Sequence, residues 1–281
     1  MNLQCVDIGE IKANIETIRS KIDRKEDSDI LNWLTPVNYG PQQSENLRLR
    51  QEGTGQWLLD SVEYQNWLNT NKQTLFCPGI PGAGKTTLTA IVVSELHKRF
   101  HSDTNVGLAY IYCDFARCTE QNAEHFVSSL LKQLIQEQSC VPDNVKSLYS
   151  NRSNGRTRPS FGEISEALHI VAAMFPRLFI IVDALDECQV FDGCRTKLMA
   201  EIFSLQAKCG ANIFATSRFF PEIVAKFDGC ISIEIRASSH DVWKYLDGNL
   251  SRLLPDFVIS SLELQEEIKT KIVKAVDGMY V

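Results

Sequence analysis

Gly79-Ile80-Pro81-Gly82-Ala83-Gly84-Lys85-Thr86-Thr87 fills every fixed position of the G-x-x-x-x-G-K-[ST] phosphate-binding loop. Each position has a physical job. Glycines at 79, 82 and 84 let the backbone curl and turn its N–H groups inward, at angles a side chain would resist. Lys85 then reaches the β- and γ-phosphates of a nucleotide, and the Thr86 hydroxyl ligates Mg2+. Thr87 and the apolar periodicity behind it (Leu88, Ile91, Val92, Leu96, Phe100) predict a helix whose N-terminus faces the same anion. Thr74-Leu75-Phe76-Cys77 reads as a buried strand entering the loop. Strand before and helix after are the context such a motif requires.

About a hundred residues downstream, Leu178-Phe179-Ile180-Ile181-Val182 is wholly apolar and runs straight into Asp183-Ala184-Leu185-Asp186-Glu187. A parallel strand buried on both faces has this composition. Its ligands sit at the carboxyl end, where open α/β sheets bind them. Asp183 is placed to hold Mg2+, directly or through water, and Asp186 or Glu187 to orient the attacking water. Asn212-Ile213-Phe214-Ala215-Thr216 predicts a further strand, and Arg218 just past it lies on the same sheet edge, in reach of a γ-phosphate.

Upstream, isoleucines at 8, 11, 15, 18 and 22 draw a narrow helical stripe, about two heptads long. That is too short for a coiled coil, so it predicts a helix packed on the body, ending in the charged run 21–29. Residues 31–55 read as irregular, with Thr35-Pro36 and Gly40-Pro41 as breakers. Gln56 to Asn69 predicts one amphipathic helix burying Trp57, Leu58, Val62 and Leu68. Gly53-Thr54-Gly55 before it is a candidate seat for a nucleotide base. Further on, 106–115 reads as strand, 123–138 as helix, and 150–160 as a polar loop carrying Arg152, Arg156 and Arg158. Residues 195–207 read as helix, 230–235 as the last strand, and the chain then continues in helices.

The 281 residues carry a net charge of -6, which argues against broad nucleic-acid binding by phosphate neutralisation. No apolar run reaches the length of a membrane span, and the polar start Met1-Asn2-Leu3-Gln4 is no signal peptide. The nine cysteines include no C-x-x-C pair, though Cys113 and Cys118, and Cys188 and Cys194, stand close in sequence. They read as reduced thiols of a cytoplasmic protein. A small-GTPase reading fails, because Ser20-Lys21-Ile22-Asp23 precedes the phosphate loop instead of following it.

Gly79–Thr87, Asp183–Glu187 and Thr216-Ser217-Arg218 together resemble the NACHT domains of STAND nucleotide switches, most closely in wording the fungal NACHT proteins often followed by ankyrin repeats. Ala184, small where many ATPases place a catalytic glutamate, belongs to that likeness, as do Trp33-Leu34-Thr35-Pro36 and Gly53-Thr54-Gly55-Gln56-Trp57-Leu58. The resemblance spans residues 30–281. It implies an α/β, three-layer P-loop NTPase fold with a five-stranded, mainly parallel sheet. In that fold the strand from 212 lies between the phosphate-loop strand and the Asp183 strand. It further implies an N-terminal helical extension (1–30), a linker and preceding helix (31–72), a core (73–236) and the start of a C-terminal helical segment (237–281). Members bind ATP or GTP with Mg2+, hydrolyse it slowly, and use the bound state to control self-association or unidentified protein effectors. The resemblance also gives Arg218 a place on the γ-phosphate. The expected winged-helix and repeat regions do not appear before Val281, so the chain reads as the N-terminal portion of something longer. Two other readings stay open. A metabolic or motor P-loop ATPase or kinase would want an acceptor pocket or a clear arginine finger. A non-hydrolysing scaffold would tolerate loss of the acidic positions, which are intact here.

Overall fold

The computed structural model describes residues 25–117, 121–138, 140–152, 155–253 and 261–275. The isoleucine stripe of residues 8–22 lies outside them. Five strands form one parallel sheet in the order β2-β3-β4-β1-β5. They are β1 (Thr74–Pro78), β2 (Val106–Tyr112), β3 (Arg177–Asp183), β4 (Asn212–Ser217) and β5 (Ile231–Ser232). β4 lies between β1 and β3, as expected, with Leu75 opposite Phe214 and Ile181 opposite Phe214 on the other side. β5 is short as a regular strand, yet Ile233 N–H donates to Phe76 O at 3.1 Å and Ile235 N–H to Pro78 O at 2.7 Å, so pairing continues over the predicted span.

Both faces of the sheet are covered, and the strands read as apolar runs for that reason. Along β3, Leu178, Ile180 and Val182 enter one core and Phe179 and Ile181 the other, the period of two that a pleated strand imposes. The first core packs against α6 (Ala123–Gln136), α8 (Phe161–Ala172) and α9 (Cys194–Cys209), the second against α4 (Val62–Asn69) and α5 (Lys85–Arg99). Trp67 of α4 anchors the second layer, its ring 5.3 Å from Phe179 and 5.9 Å from Phe214. α7 (Asp143–Asn151) and α10 (Pro221–Val224) are peripheral, and α11 (Ser239–Leu253) and α12 (Leu262–Ala275) follow the sheet.

The upstream segment is more helical than its sequence suggests. Residues 25–34 form a helix (α1) that takes in residues 25–29 of the charged run, because these charges stay at the surface while Ile30 and Leu34, four apart, enter the core. Gly40-Pro41 opens the helix α2 (Gly40–Arg48) instead of breaking one, since a proline in the first turn sacrifices no helical hydrogen bond. The predicted helix 56–69 is two, α3 (Gln56–Asp60) and α4, divided at Ser61, whose hydroxyl accepts the Tyr64 N–H. Val62 then falls on the outer face, 70% exposed, while Tyr64 and Trp67 take the buried positions with Leu68. In the polar loop, Arg152 pairs with Glu163 through Nε at 3.1 Å.

Candidate functional site

The phosphate loop leaves β1 at its carboxyl end and closes on α5, as the motif requires. Gly84 ends the loop at φ 86, a left-handed angle costly to a side chain. Gly79 is needed for a different reason: a Cβ there would lie 2.5 Å from the Ile235 carbonyl oxygen. Gly79 N–H donates to Ser217 O at 3.0 Å, joining the loop to the end of β4. Ala83 is buried among Leu88 and Ile91, which holds the loop down on its helix. Lys85 Nζ donates to Gly79 O at 2.9 Å and to Ile80 O at 2.8 Å. Burial lowers the pKa of Lys85, against the pull of Asp186 and Asp183.

Opposite the loop, the end of β3 presents Asp183 in a cage of hydroxyls. Thr89 and Thr216 donate to Oδ1, each at 2.7 Å, and Thr86 donates to Oδ2 at 2.7 Å. Burial pushes this carboxyl above its ordinary value, and the three threonines pull it back. With Oδ1 occupied twice, Oδ2 and the Thr86 hydroxyl are the adjacent pair, Thr86 lining the cleft and Asp183 buried behind it. These are two adjacent hard oxygen donors, the set Mg2+ accepts when phosphate and water fill most of its shell. Among the described residues no three His, Cys, Asp or Glu side chains converge as a metal site, so such an ion leans on the nucleotide. The residues fit it.

After Asp183 the chain turns sharply. Ala184 adopts φ 54 and ψ 51, left-handed for a residue with a side chain. Its N–H is held by Thr216 Oγ1 at 2.8 Å. A small residue here keeps the strain to about 1–2 kcal/mol. The turn sends Asp186 and Glu187 in different directions. Asp186 is spent on Arg218: it accepts the Arg218 N–H at 2.9 Å and pairs with the guanidinium through Nε. Arg218 also lies over the Phe220 ring, 5.5 Å from its centroid. Glu187 keeps a freer carboxylate, touched only loosely by the Phe115 N–H at 3.5 Å. Burial raises its pKa, the Phe115 N–H offsets part of that, and Asp186 and Asp183 raise it further.

Loop and turn enclose a cleft of about 430 Å3, lined by Gly82, Lys85, Thr86, Thr87, Asp186, Glu187 and Arg218 among others. Pro81, Gly82, Gly84, Lys85, Thr86, Thr87, Asp186, Glu187 and Arg218 thus line one cleft, whereas Gly79, Ile80, Ala83 and Asp183 are not part of its lining, Ala83 and Asp183 being buried. Thr89 was not singled out. It is three positions past Thr86 on the same helix, a spacing that puts both on one face. A second pocket, about 130 Å3, opens beside the first and shares Gly84 and Thr87 with it. Its apolar floor is Leu88 and Ile91, and its rim is Arg50, Thr54, Gly55 and, from α11, Tyr245. Gly53-Thr54-Gly55 therefore borders the nucleotide side of the loop, but α11 was not foreseen as its other wall.

A sequence profile of the family described as nephrocystin 3, N-terminal, matches residues 53–218, more than half of the chain. No curated protein matches. Among solved structures, the chain is similar to the ORC1 protein of Aeropyrum pernix in complex with DNA. That likeness has 17% identity over 89% of this chain and 59% of that one, with TM-score 0.48. It is also similar to the Walker-type ATPase paby2304 of Pyrococcus abyssi, at 14% identity over 82% and 66% of the two chains, TM-score 0.49. A third is AMPPCP-bound DnaA from Aquifex aeolicus, at 16% identity over 86% and 66%, TM-score 0.38. The chain spans between 59% and 66% of the length of these three.

Proposed function

The chain belongs to the nephrocystin 3 N-terminal family, and from that premise we propose that it is a nucleotide-operated switch. It binds Mg-ATP or Mg-GTP at the phosphate loop and hydrolyses it slowly. The observation that carries this is the employment of the two cleft cations. Lys85 rests on the carbonyls of its own loop and Arg218 on Asp186. A γ-phosphate competes for both, and a diphosphate lacks the contact that would draw Arg218 away. A ligand shifts a conformational equilibrium only through contacts that differ between its states, and Arg218 supplies such a contact.

In this reading Thr86 and Asp183 hold Mg2+, which supplies neutralisation of charge on the β- and γ-oxygens. Lys85 and the loop N–H groups orient the phosphates. Glu187, less engaged than Asp186, positions the attacking water. Asp186 fixes Arg218 until the triphosphate recruits it. The core runs over 73–236, and the helices from 237 onward form the part that responds. The three motifs' likeness to NACHT domains supports the switch over a metabolic kinase. Protein partners or self-association fit the charge of -6 better than nucleic acid does, although ORC1 was solved with DNA. Phe115, Phe191 and Phe219, exposed in the segments that follow β2, β3 and β4, support a contact with another chain. Among the described residues no helix is long and apolar enough to cross a membrane.

Titration calorimetry and light scattering with di- and triphosphates test the proposal. The wild type binds Mg-triphosphate, Lys85→Ala does not, and Arg218→Ala loses triphosphate affinity more than diphosphate affinity. Equal binding by Lys85→Ala would overturn the site. A molecular size indifferent to the nucleotide, with equal losses for both nucleotides in Arg218→Ala, would overturn the switch.

A further inference from the structure

Directly beneath the turn that carries Asp186 and Glu187 lie three thiols. Cys188 and Cys194 Sγ are 3.7 Å apart, and Cys113, just past the end of β2, is buried in the same core cluster. All three are buried, Cys188 and Cys194 at 2% and 3% exposure. Between Cys188 and Cys194 the chain makes one tight excursion. Asp192 has φ 58 and Gly193 φ 67, and Phe191 at its tip is 78% exposed. The buried sulfurs are therefore separated from solvent by a short turn held in a conformation unfavourable to Asp192.

We propose that Cys188 and Cys194 form a reversible disulfide that ties the Asp186–Glu187 turn to the first residue of α9. This modification site concerns the cleft described above, and its consequence for turnover rests on that reading. The covalent step does not. The oxidant is a peroxide. One thiolate attacks a peroxide oxygen, the O–O bond breaks, and a sulfenic acid and water form. The second sulfur attacks the sulfenic sulfur, the S–O bond breaks, and a second water leaves. In sum two thiols lose two electrons and two protons, and hydrogen peroxide becomes two waters. A low-molecular-weight thiol returns the pair to the reduced state by exchange.

The geometry is close to bonding but not at it. The sulfurs must approach from 3.7 Å to the covalent distance of about 2.05 Å, a movement the short turn between them must absorb. Cys188 is bonded directly to Glu187 in the chain, so that movement is transmitted to the acid that faces the cleft. Three features slow the reaction in the resting protein. The turn covers the sulfurs. The Cys188 thiol is held above its usual pKa by the neighbouring Cys113, and the Cys194 thiol by Cys188 and by burial. A nucleophilic thiolate therefore becomes available when the 189–193 turn opens. A ligand that orders Glu187 holds the turn closed and protects the pair.

The test uses the full chain, treated with hydrogen peroxide and then with a free-thiol alkylating agent. Trypsin places both cysteines in one peptide, Leu178–Arg195. The expected product is that peptide two hydrogens lighter and unalkylated, restored by a dithiol reductant. Amide exchange over residues 184–193 slows in the oxidised form. Turnover falls on the order of tenfold or more, as expected when a catalytic group is displaced by a fraction of an ångström to an ångström. Cys194→Ser keeps its reduced-state turnover and loses the sensitivity to peroxide. A peptide that is still fully alkylated, or a cross-link through Cys113, overturns the proposal, as does unchanged amide exchange. A cross-link with slowed exchange, in a protein that neither binds nor hydrolyses nucleotide when reduced, leaves the disulfide standing and removes the switch reading.

Discussion

Asp183 carries an uncomfortable charge. It is buried, its pKa is raised above the ordinary 3.8 chiefly by desolvation, and three hydroxyls compensate only in part. Between its unfolded and folded pKa values the native state binds more protons. Stability therefore falls as pH rises through that window, and at neutral pH the ionised carboxylate is a net cost. Asp183→Asn removes the charge and keeps the shape. Without ligand it should melt at the same temperature as the wild type or higher, while losing every Mg-dependent shift on adding nucleotide. Melting scans with and without Mg-nucleotide decide this, and a variant less stable in the apo state would show that the hydroxyl bonds outweigh desolvation. Glu187 and Asp186 separate in the same way. Glu187→Gln should retain binding and lose turnover. In the wild type, turnover should fail on acidification at a pH above the ordinary carboxylate range, since the Glu187 pKa is raised. Asp186→Asn should instead release Arg218 and blunt the discrimination between di- and triphosphate. Single-turnover rates and affinities measured on both variants across pH distinguish the two roles.

At the scale of elements, β2 is an edge strand, and edge strands invite pairing with other chains. Two glutamines occupy backbone groups along this edge. Gln133 of α6 accepts the Tyr110 N–H at 3.0 Å and donates to the Tyr110 carbonyl at 2.7 Å. Gln121 donates to Tyr112 O at 2.9 Å and accepts the Asp114 N–H at 2.8 Å. Gln133→Ala should cost about 1–3 kcal/mol, two ordinary hydrogen bonds, and increase self-association unrelated to nucleotide. Urea denaturation and concentration-dependent scattering measure the two effects. No pattern in the sequence announces such a pairing, because a glutamine on a helix reads as surface. Local signals were legible where chemistry is local: glycines before Lys85, the apolar run into Asp183, Thr216-Ser217-Arg218. Other local signals are present in the sequence but weaker. Ser160 and Glu163 form a capping box that opens α8 at the end of the polar loop 150–160. The split at Ser61 followed from a hydroxyl cap that competes with helix continuation.

At the scale of the whole molecule, two segments far apart in the chain meet over the first turns of α5. Gly55 N–H donates to Asp241 Oδ2 at 3.0 Å, and Lys244 Nζ donates to Gly53 O at 3.0 Å. The pocket of about 130 Å3 lies between them, with Leu88 and Ile91 beneath, and meets the phosphate cleft at Gly84 and Thr87. Under the proposed function, a nucleotide with its phosphates on the loop would place its base in that pocket, whose apolar floor and polar rim suit a purine face. The base contact then depends on how α11 is seated, whereas the phosphate contacts, made by α5 and the strand ends, do not. Asp241→Ala separates the two. It deprives the buried Gly55 N–H of its carboxylate, at about 1–3 kcal/mol, and loosens α11 from the 50–55 turn. Affinity for a complete nucleotide should fall about tenfold or more, since 1.4 kcal/mol is a factor of ten. Affinity for inorganic tripolyphosphate, which has no base, should stay unchanged. Calorimetric titration of wild type and variant with both ligands makes the comparison. Equal losses for the two would place the base elsewhere and leave α11 as packing alone, whereas a loss confined to the nucleotide would make the α11 contact the route by which occupancy of the loop is felt in the C-terminal helices.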